Sequence, residues 1–245
     1  MSNEGDIRSV LERVHQLQTR LGELNGRLRR GPLVLKTQEG NVQKQQEKLD
    51  GLNEELRKLQ QEAKAKEQEV AANDQAIARR KLQLQESKSN KEYQALLLQI
   101  KADEAARGVL DDEALEAIEK AERFADNIPP AKAELQKLQE LHDSTRAKFL
   151  EEKPGIETEV QRFATLLKEE EVKLPREFKD VYERLIKSVG GSEALAVVEG
   201  HKFCGGCNHQ IPINSLAQIL QKKPIVCSSC ARLLYVPQDF QFDKG

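Results

Sequence analysis

The sequence predicts a mainly α-helical protein, in which a long, kinked, antiparallel coiled-coil hairpin is followed by a small C-terminal β module. Three observations support this prediction. Apolar residues recur at alternating spacings of three and four over most of the chain, which is the pattern of a coiled coil. A polar stretch, ESKSNKEY at 86–93, separates two arms of similar length. All four cysteines lie in the C-terminal part of the chain, in two close pairs.

The composition argues against a single large enzyme core. Of the 245 residues, 33% are charged and only 4% are aromatic, with no Trp. A compact globule of this length normally has more large apolar side chains to bury. The formal net charge is only -2, so any electrostatic recognition must come from local patches.

The chain lacks an apolar run of membrane-spanning length and lacks the charged-then-apolar pattern of an export signal. We therefore expect a soluble, cytoplasmic protein with no membrane partner. Thiols stay reduced in that compartment, so paired cysteines are expected to bind a metal rather than to form disulfides.

The first arm keeps one heptad register from end to end. It begins with the seam Ile7, Val10, Val14, Leu17, Leu21, Leu24 and Leu28. Steps of seven from Val14 then reach apolar residues without a slip, through Leu21, Leu28, Leu35, Val42, Leu49, Leu56, Ala63, Val70, Ile77 and Leu84. The register passes through Gly31-Pro32, so this pair predicts a kink or short break within the arm rather than a domain boundary.

The second arm has the same periodicity, from Tyr93 through Ile100, Ala114, Ala121, Ile128 and Leu135 to Phe149, Ile156 and Phe163. Pro129-Pro130 and Pro154-Gly155 interrupt it without shifting the register, and we expect kinks there too. Two arms of equal length around one polar turn predict an antiparallel hairpin over residues 1–173, with its tip at about 86–93.

The tip is locally basic and is one candidate for binding a partner. Cations with exposed polar and aromatic side chains suit a phosphate backbone or an acidic protein surface. The alternative is an ordinary solvated helix end. The candidate residues at the tip are Arg80, Lys81, Lys88, Asn90, Lys91 and Tyr93.

Residues 174–193 predict a short connecting helix and a linker. Pro175 suits the first turn of a helix, and Phe178, Tyr182 and Leu185 lie on one side of it. The glycines of SVGGS at 188–192 end this segment. The following stretch, ALAVVEGHKF at 194–203, is a strand candidate because of its β-branched residues.

The cysteines form two Cys-x2-Cys pairs, CGGC at 204–207 and CSSC at 227–230, separated by nineteen residues. Such a spacing lets each tight turn direct two sulfurs at a single ion, and two turns complete a tetrahedron. The sequence therefore predicts a four-cysteine zinc ribbon over 194–245 that holds one zinc ion through Cys204, Cys207, Cys227 and Cys230. Four thiolates leave no open coordination position, so the predicted zinc is structural.

These cysteines have two alternatives to zinc binding, a redox dithiol and an iron–sulfur cluster. A redox dithiol needs one pair within a βαβ unit, which the sequence lacks, and an iron–sulfur cluster less often has this symmetric spacing. His201 and His209 flank the first pair and are expected to be neighbours rather than ligands. The apolar residues of the segment are too few to fold it alone, and structural zinc contributes on the order of 10 to 16 kcal/mol in small metal peptides.

Several segments resemble a known bacterial family of long coiled-coil proteins with a C-terminal four-cysteine zinc ribbon. The resemblance rests on SNKEYQALLLQI at 89–100, VYERL, AVVEGHKFCGGCNHQIP and IVCSSCARLLY, and it covers essentially the whole chain. It implies a non-enzymatic protein that acts by binding. Members are described as nucleic-acid-binding proteins, and some as flagellar regulators that contact the nitrogen-type sigma factor, a flagellin transcript or secretion components.

The chain departs from that family's pattern at Ala231, where Gly usually follows the last cysteine. A left-handed residue at this position would cost Ala about 1 kcal/mol relative to Gly. We expect metal binding to survive this difference.

Two function hypotheses follow. In the first, the protein is an adaptor or regulator in transcription or RNA handling, and the ribbon contacts nucleic acid or a polymerase-associated protein through Lys202, Lys222, Lys223 and Arg232. In the second, it is a protein-only adaptor or chaperone for a sigma factor or a secretion or flagellar component. The sequence has no nucleophile with a paired base and no phosphate-binding glycine loop, so we expect neither an enzyme nor a small-molecule substrate.

Overall fold

A computed structural model of the chain describes residues 6–200, 202–238 and 240. It confirms the mainly α-helical fold with a small strand-rich C-terminal segment. In chain order the elements are α1 (Ile7–Glu86), α2 (Asn90–Ala125), α3 (Ile128–Glu171), α4 (Arg176–Val189), a 3-10 turn (Gly191–Glu193), β1 (Leu195–Glu199), β2 (Phe203–Cys204), α5 (Ile213–Leu220), β3 (Ile225–Val226) and β4 (Leu233–Tyr235).

The chain divides into two compact units. The tip unit is Leu35–Thr145, and the base unit combines Met1–Val34 with Arg146–Gly245. Among the described residues, no helix has the length and apolar character needed to cross a bilayer.

In the tip unit, α1 and α2 form the predicted antiparallel pair. Helix α1 ends at Glu86 and α2 begins at Asn90, so the turn falls within the predicted tip. The hydroxyl of Ser89 caps α2 by accepting a hydrogen bond from the backbone N–H of Glu92 at 3.3 Å. Across the pair, Lys66 Nζ lies 2.8 Å from a carboxylate oxygen of Glu113.

The predicted kink at Pro129-Pro130 is instead a complete break. Helix α2 ends at Ala125, and α3 starts at Ile128. The side chain of Asn127 donates to the carbonyl of Phe124 at 2.9 Å and so satisfies one of the last carbonyls of α2. The two prolines then occupy the first turn of α3. Backbone N–H groups in a first turn have no carbonyl partner within the helix, so the N–H groups that Pro lacks cost no hydrogen bond there.

In the base unit, the start of α1 runs antiparallel to the end of α3. Arg27 Nη2 lies 2.8 Å from a carboxylate oxygen of Glu152 on the facing helix. Helix α1 continues through Pro32 and α3 continues through Pro154, so neither proline produces a break. The ring of Phe149 packs directly on Gly31, and a Cβ at that position would lie 2.1 Å from the ring.

Two Gly→Ala substitutions in α1 are expected to have opposite effects. Gly31→Ala should lower the free energy of unfolding by about 1–3 kcal/mol, because the methyl group would displace Phe149. Gly51→Ala should raise it by about 0.5–1 kcal/mol, because a Cβ there meets nothing within 4 Å and Ala is the better helix former. Urea denaturation of both variants measures the difference. Equal effects would contradict the close packing at Gly31.

The strands form one mixed sheet in the order β2-β1-β4-β3. Strand β1 is parallel to β4, and the other two pairings are antiparallel. Side chains alternate between the faces of the sheet. One face carries Leu195, Leu233 and Tyr235, and the other carries Ala196, Val198 and Leu234.

The first sheet face shares a core with the helices of the base unit, which the sequence analysis did not anticipate. The core includes Val14 and Leu17 of α1, Leu167 of α3, and Phe178, Tyr182 and Leu185 of α4. The sequence contains a trace of this core, because Leu11 widens the apolar stripe of α1 beyond a two-position seam and the polar Gln18 lies one heptad further along the same face. Both are buried, at 3% and 8% exposure. The C-terminal segment with the four cysteines is therefore not a separate globule.

Two tyrosine hydroxyls link α1 to this core. The Gln18 amide donates to Tyr182 Oη at 2.6 Å, and Tyr182 Oη donates to Glu171 at 2.8 Å. Tyr235 Oη lies 2.8 Å from His15 Nδ1, and the two rings pack edge to face. Burial raises the pKa of both tyrosines, so both stay protonated at neutral pH.

Acid is expected to weaken the base unit through His15. Burial, with a smaller contribution from the charge of Arg232, lowers the pKa of His15 below 6.5. The unfolded chain therefore binds the proton more readily, and stability should be constant above about pH 6.5 and fall as the pH drops below it. Denaturation of the wild type and His15→Gln between pH 5 and 8 measures this. The difference in stability between the two proteins should be constant above about pH 6.5 and change only below it, and a difference that does not depend on pH would contradict the assignment.

Candidate metal centre

The sheet brings the two predicted cysteine pairs together. Cys204 is the last residue of β2, and Cys227 directly follows β3. Around them, all four Sγ atoms of Cys204, Cys207, Cys227 and Cys230 lie within 4.8 Å of one another. Cys204 and Cys227 are buried, whereas Cys207 is exposed. The four residues predicted from spacing therefore form one cluster that could hold a metal ion.

The sulfur separations fit a tetrahedral ion. Cys204 and Cys230 have their Sγ atoms 3.7 Å apart, as do Cys207 and Cys227. These distances exclude disulfides, in which the sulfurs are about 2.0 Å apart. A tetrahedral zinc ion with Zn–S bonds of about 2.3 Å places its sulfurs about 3.8 Å apart. The donor set and its spacing therefore fit zinc.

The two cysteine turns repeat the same backbone hydrogen bonds. In the first, Cys204 N–H donates to the carbonyl of His209 at 2.9 Å, and Asn208 N–H donates to the carbonyl of Cys204 at 2.7 Å. In the second, Cys227 N–H donates to the carbonyl of Arg232 at 2.8 Å, and Ala231 N–H donates to the carbonyl of Cys227 at 2.9 Å. This repetition is typical of two knuckles that hold one ion.

Backbone N–H groups also point at the sulfurs. Burial raises the pKa of Cys204 to about 12, although the N–H groups of Gly206 and Cys207 donate to its sulfur. The N–H of His209 donates to Cys207 and lowers the pKa of that thiol to about 7. These donors stabilise thiolates, and a metal ion would complete the deprotonation of all four.

Arg232 joins the two knuckles from within the molecule. Its Nη1 donates to the carbonyl of Gly206 at 2.7 Å, and its Nη2 lies 2.8 Å from the carboxylate of Glu193. Its guanidinium also hydrogen bonds to the sulfur of Cys230. The sequence analysis proposed Arg232 for a partner, but these contacts engage its charge inside the ribbon. A Cβ on Gly206 would lie 2.6 Å from this side chain, so the glycine makes room for it.

Both knuckles need a left-handed residue directly after their second cysteine. Asn208 has φ 55° and Ala231 has φ 58°. Asn tolerates this conformation, whereas Ala is strained in it. The cost expected for Ala231 therefore applies to this backbone.

We expect Ala231→Gly to raise the free energy of unfolding of the metal-loaded protein by about 1 kcal/mol. The matched control is Asn208→Gly in the other knuckle, which should change it by less because Asn already accepts a positive φ. Thermal and denaturant unfolding of the metal-loaded variants measures both. A destabilised Ala231→Gly variant would contradict the argument from strain.

Two histidines, His201 and His209, flank the first cysteine pair. His209 contributes its backbone to the first knuckle, and its ring is not one of the clustered ligand groups among the described residues. His201 lies outside the described residues.

The three candidate lysines of the ribbon are all exposed. Lys202 Nζ lies 5.7 Å from the ring centroid of Phe203, which fits a cation–π contact. Lys222 Nζ lies 3.7 Å from a carboxylate oxygen of Asp6. Lys223 has no ion pair within the described part of the chain.

At the tip, the candidate cations fall into two groups. Arg80 pairs with Asp103, and Lys81 pairs with Glu104 at 2.7 Å, so both already neutralise carboxylates of α2. Lys88 and Lys91 are exposed and have no ion pair among the residues described. Asn90 is exposed beside them, and Tyr93 is 42% exposed.

Comparison with known proteins supports the fold alone. No family model matches the chain, and no curated protein matches it. Among solved structures, CT398 from Chlamydia trachomatis is 18% identical with a TM-score of 0.71, and the match covers 96% of this chain and 100% of that one. The HP0958 protein from Helicobacter pylori is 18% identical with a TM-score of 0.58, over 95% and 98% of the two chains. A protein from Mycobacterium smegmatis is 16% identical with a TM-score of 0.62, over 92% and 97%. The chain is similar to these proteins over nearly its whole length.

Proposed function

We propose that this protein is a non-enzymatic adaptor or regulator that acts on transcription or RNA, and that it is built around one structural zinc ion. The observation that carries the proposal is the four-sulfur centre. Its four donors satisfy a tetrahedral ion and leave no position for a water or a substrate. Zinc in such a site supplies folding energy and does not activate a nucleophile. The zinc ribbon is then a rigid platform, and the hairpin supplies further binding surface.

The contacts with a partner are assigned to the charged groups that remain free. Among the described residues, these are Lys88 and Lys91 at the tip, beside Asn90 and Tyr93, and Lys202 and Lys223 in the ribbon. Cations of this kind suit phosphate groups or an acidic protein surface. Nucleic acid, a protein or both would bind through them.

A protein-only adaptor is the second candidate. It is favoured because several of the candidate cations are already paired with carboxylates of the same chain. Arg80, Lys81 and Arg232 are engaged by carboxylates of the same chain, and Lys222 lies near Asp6. Half of the eight candidate cations are thus already engaged within the described chain, whereas a dedicated nucleic-acid binder gains most of its affinity from many free cations. The resemblance of the sequence points to a sigma factor or a secretion or flagellar component as the class of protein partner.

A titration distinguishes the two candidates. The zinc-loaded full-length chain is titrated into fluorescent single-stranded RNA and duplex DNA of mixed sequence at low and high salt, with Lys88→Glu and Lys223→Glu as variants. The exposed Lys137 on α3 supplies the control, Lys137→Glu. Binding that weakens with salt and with the two variants, but not with the control, supports nucleic-acid recognition. If no nucleic acid binds, and a protein partner is retained after nuclease treatment, the protein-only adaptor is the correct candidate.

A further inference from the structure

Helix α2 carries a second apolar stripe on the face that points away from α1. The stripe consists of Ala95, Leu98, Ala102, Ala105 and Val109, at spacings of three and four. Leu98 is 72% exposed and Val109 is 59% exposed, and the three alanines are exposed as well. The seam of the hairpin uses other residues of the same helix, such as Ile100 and Ala114, which are buried. The outer stripe therefore has coiled-coil spacing but no partner helix within the described chain.

Charged residues extend the stripe at both ends in the same spacing. Lys91 lies at the end nearest the tip, and Asp112 and Glu116 lie at the other end. All three are exposed, and none has an ion pair within the described ranges. One end of the stripe is thus cationic and the other is anionic.

We propose that a second copy of this chain docks on the outer stripe, with the two α2 helices antiparallel. In an antiparallel coiled coil, each a position of one helix lies beside a d position of the other helix. The register that places Lys91 opposite Glu116 of the second copy also places Leu98 opposite Val109. A twofold axis then repeats both pairs, because a symmetric dimer uses one surface twice. Charge and apolar packing agree on this single register.

The centre of the stripe suits close contact between two helices. Ala102 would face Ala105 of the second copy, and Ala106 and Gly108 lie on the flanks. Small residues allow the helix axes to approach closely. Leu115, another exposed apolar residue of this region, is 58% exposed and would lie against Gln94 of the second copy.

The area of the stripe predicts a weak dimer. Residues 91–116 span about 38 Å at 1.5 Å per residue, and a contact strip about 10 Å wide gives roughly 400 Å² per copy. A stable interface buries about 800 Å² per partner, so the dimer should form only at micromolar or higher concentration. Glu92 and Glu113 would approach each other between copies, which weakens the dimer further, although Lys66 already neutralises Glu113 at 2.8 Å.

Sedimentation of the zinc-loaded full-length chain over a range of about 5 to 500 µM tests the proposal, because that range brackets a weak dimer. The variants are Leu98→Glu, Lys91→Glu and Glu116→Lys, and the control is Lys137→Glu on α3. All four positions are exposed, so folding should be unaffected, and circular dichroism checks this. The wild type should dimerise with concentration, and each of the three stripe variants should weaken the dimer by roughly tenfold or more.

The mixture of the two charge variants gives the sharpest result. Each variant alone would place like charges opposite each other, but an equimolar mixture of Lys91→Glu and Glu116→Lys pairs opposite charges at both ends. The mixture should dimerise as the wild type does. A parallel arrangement would place Lys91 opposite Lys91 and Glu116 opposite Glu116, so each single variant would only exchange one like-charge pair for another and would not weaken the dimer, and the mixture would dimerise more tightly than the wild type. A wild type that stays monomeric at the highest concentration, or charge variants that dimerise without change, would overturn the proposal. A different protein that binds the stripe while the chain stays monomeric would also overturn it. The inference does not depend on the function proposed above, except that the dimer would pair Lys91 with Glu116 and leave Lys88 to contact a partner at the tip.

Discussion

Cys227→Ser is expected to release the metal ion and to unfold the ribbon, while the helices keep nearly all of their signal in circular dichroism. The variant removes one of four thiolates and leaves the other three crowded around an incomplete site. Structural zinc contributes on the order of 10 to 16 kcal/mol to the folding of small metal sites, and the ribbon has a small core of its own. The loss should therefore be far larger than that of an ordinary surface substitution.

The effect should extend into the base unit, because the sheet belongs to its core. Leu233 and Tyr235 pack against the same cluster as α1 and α4, so an unfolded β4 would expose apolar residues of these helices. Metal analysis, circular dichroism and limited proteolysis measure the three consequences. Ser229→Ala, an exposed change in the same knuckle, is the control and should keep its metal. A Cys227→Ser variant that retains one metal ion per chain would refute the ligand assignment.

Tyr182→Ala should lower the free energy of unfolding by about 3–5 kcal/mol, the range found when a buried aromatic ring is removed. Tyr182 is only 1% exposed and lies among α1, α4 and the sheet. Tyr182→Phe keeps the ring but removes the hydroxyl that accepts from Gln18 and donates to Glu171. Gln18 is itself buried, so the loss of its partner should cost about 1–3 kcal/mol.

The comparison of these two variants separates packing from hydrogen bonding at one site. Tyr93→Ala is the control, because Tyr93 is 42% exposed at the tip, and its effect should stay within about 0.5 kcal/mol. Denaturant unfolding, with metal present throughout, measures all three. If Tyr182→Phe were as damaging as Tyr182→Ala, the ring would contribute nothing, which would contradict the packing described for the base unit.

The sequence was sufficient for features that depend on local periodicity or spacing. The heptad register runs without a slip through Gly31-Pro32, and α1 is one unbroken helix there, so the short break that was the alternative to a kink does not occur. The polar stretch at 86–93 contained the turn, and Ser89 caps the helix that follows. The four cysteines were identified by spacing, and the structure brings the four sulfurs together.

Features that depend on contacts between distant segments were not predictable in this way. Arg232 looked like a free cation, but its acceptors include the backbone carbonyls of Gly206 and Glu193, which leave no mark in the sequence. The core shared by α1, α4 and the sheet joins segments about two hundred residues apart. The helix break fell at Asp126 and Asn127 rather than at the prolines, because Pro is compatible with the first turn of a helix.

The outer stripe on α2 was missed for a different reason. Its spacing from Lys91 to Glu116 is as regular as that of the seam, and both patterns lie on one helix. Sequence periodicity shows that two faces are apolar but not which of them meets α1. The exposures of Leu98 and Val109 resolve that ambiguity.

X-ray absorption at the metal edge of the purified full-length protein identifies both the bound ion and its ligands. We expect one zinc ion per chain, with four sulfur neighbours at about 2.3 Å and no lighter atom in the first shell. A nitrogen or oxygen ligand in the first shell, or an ion other than zinc, would contradict the closed structural centre. An open ligand position would in addition remove the basis for a non-enzymatic function.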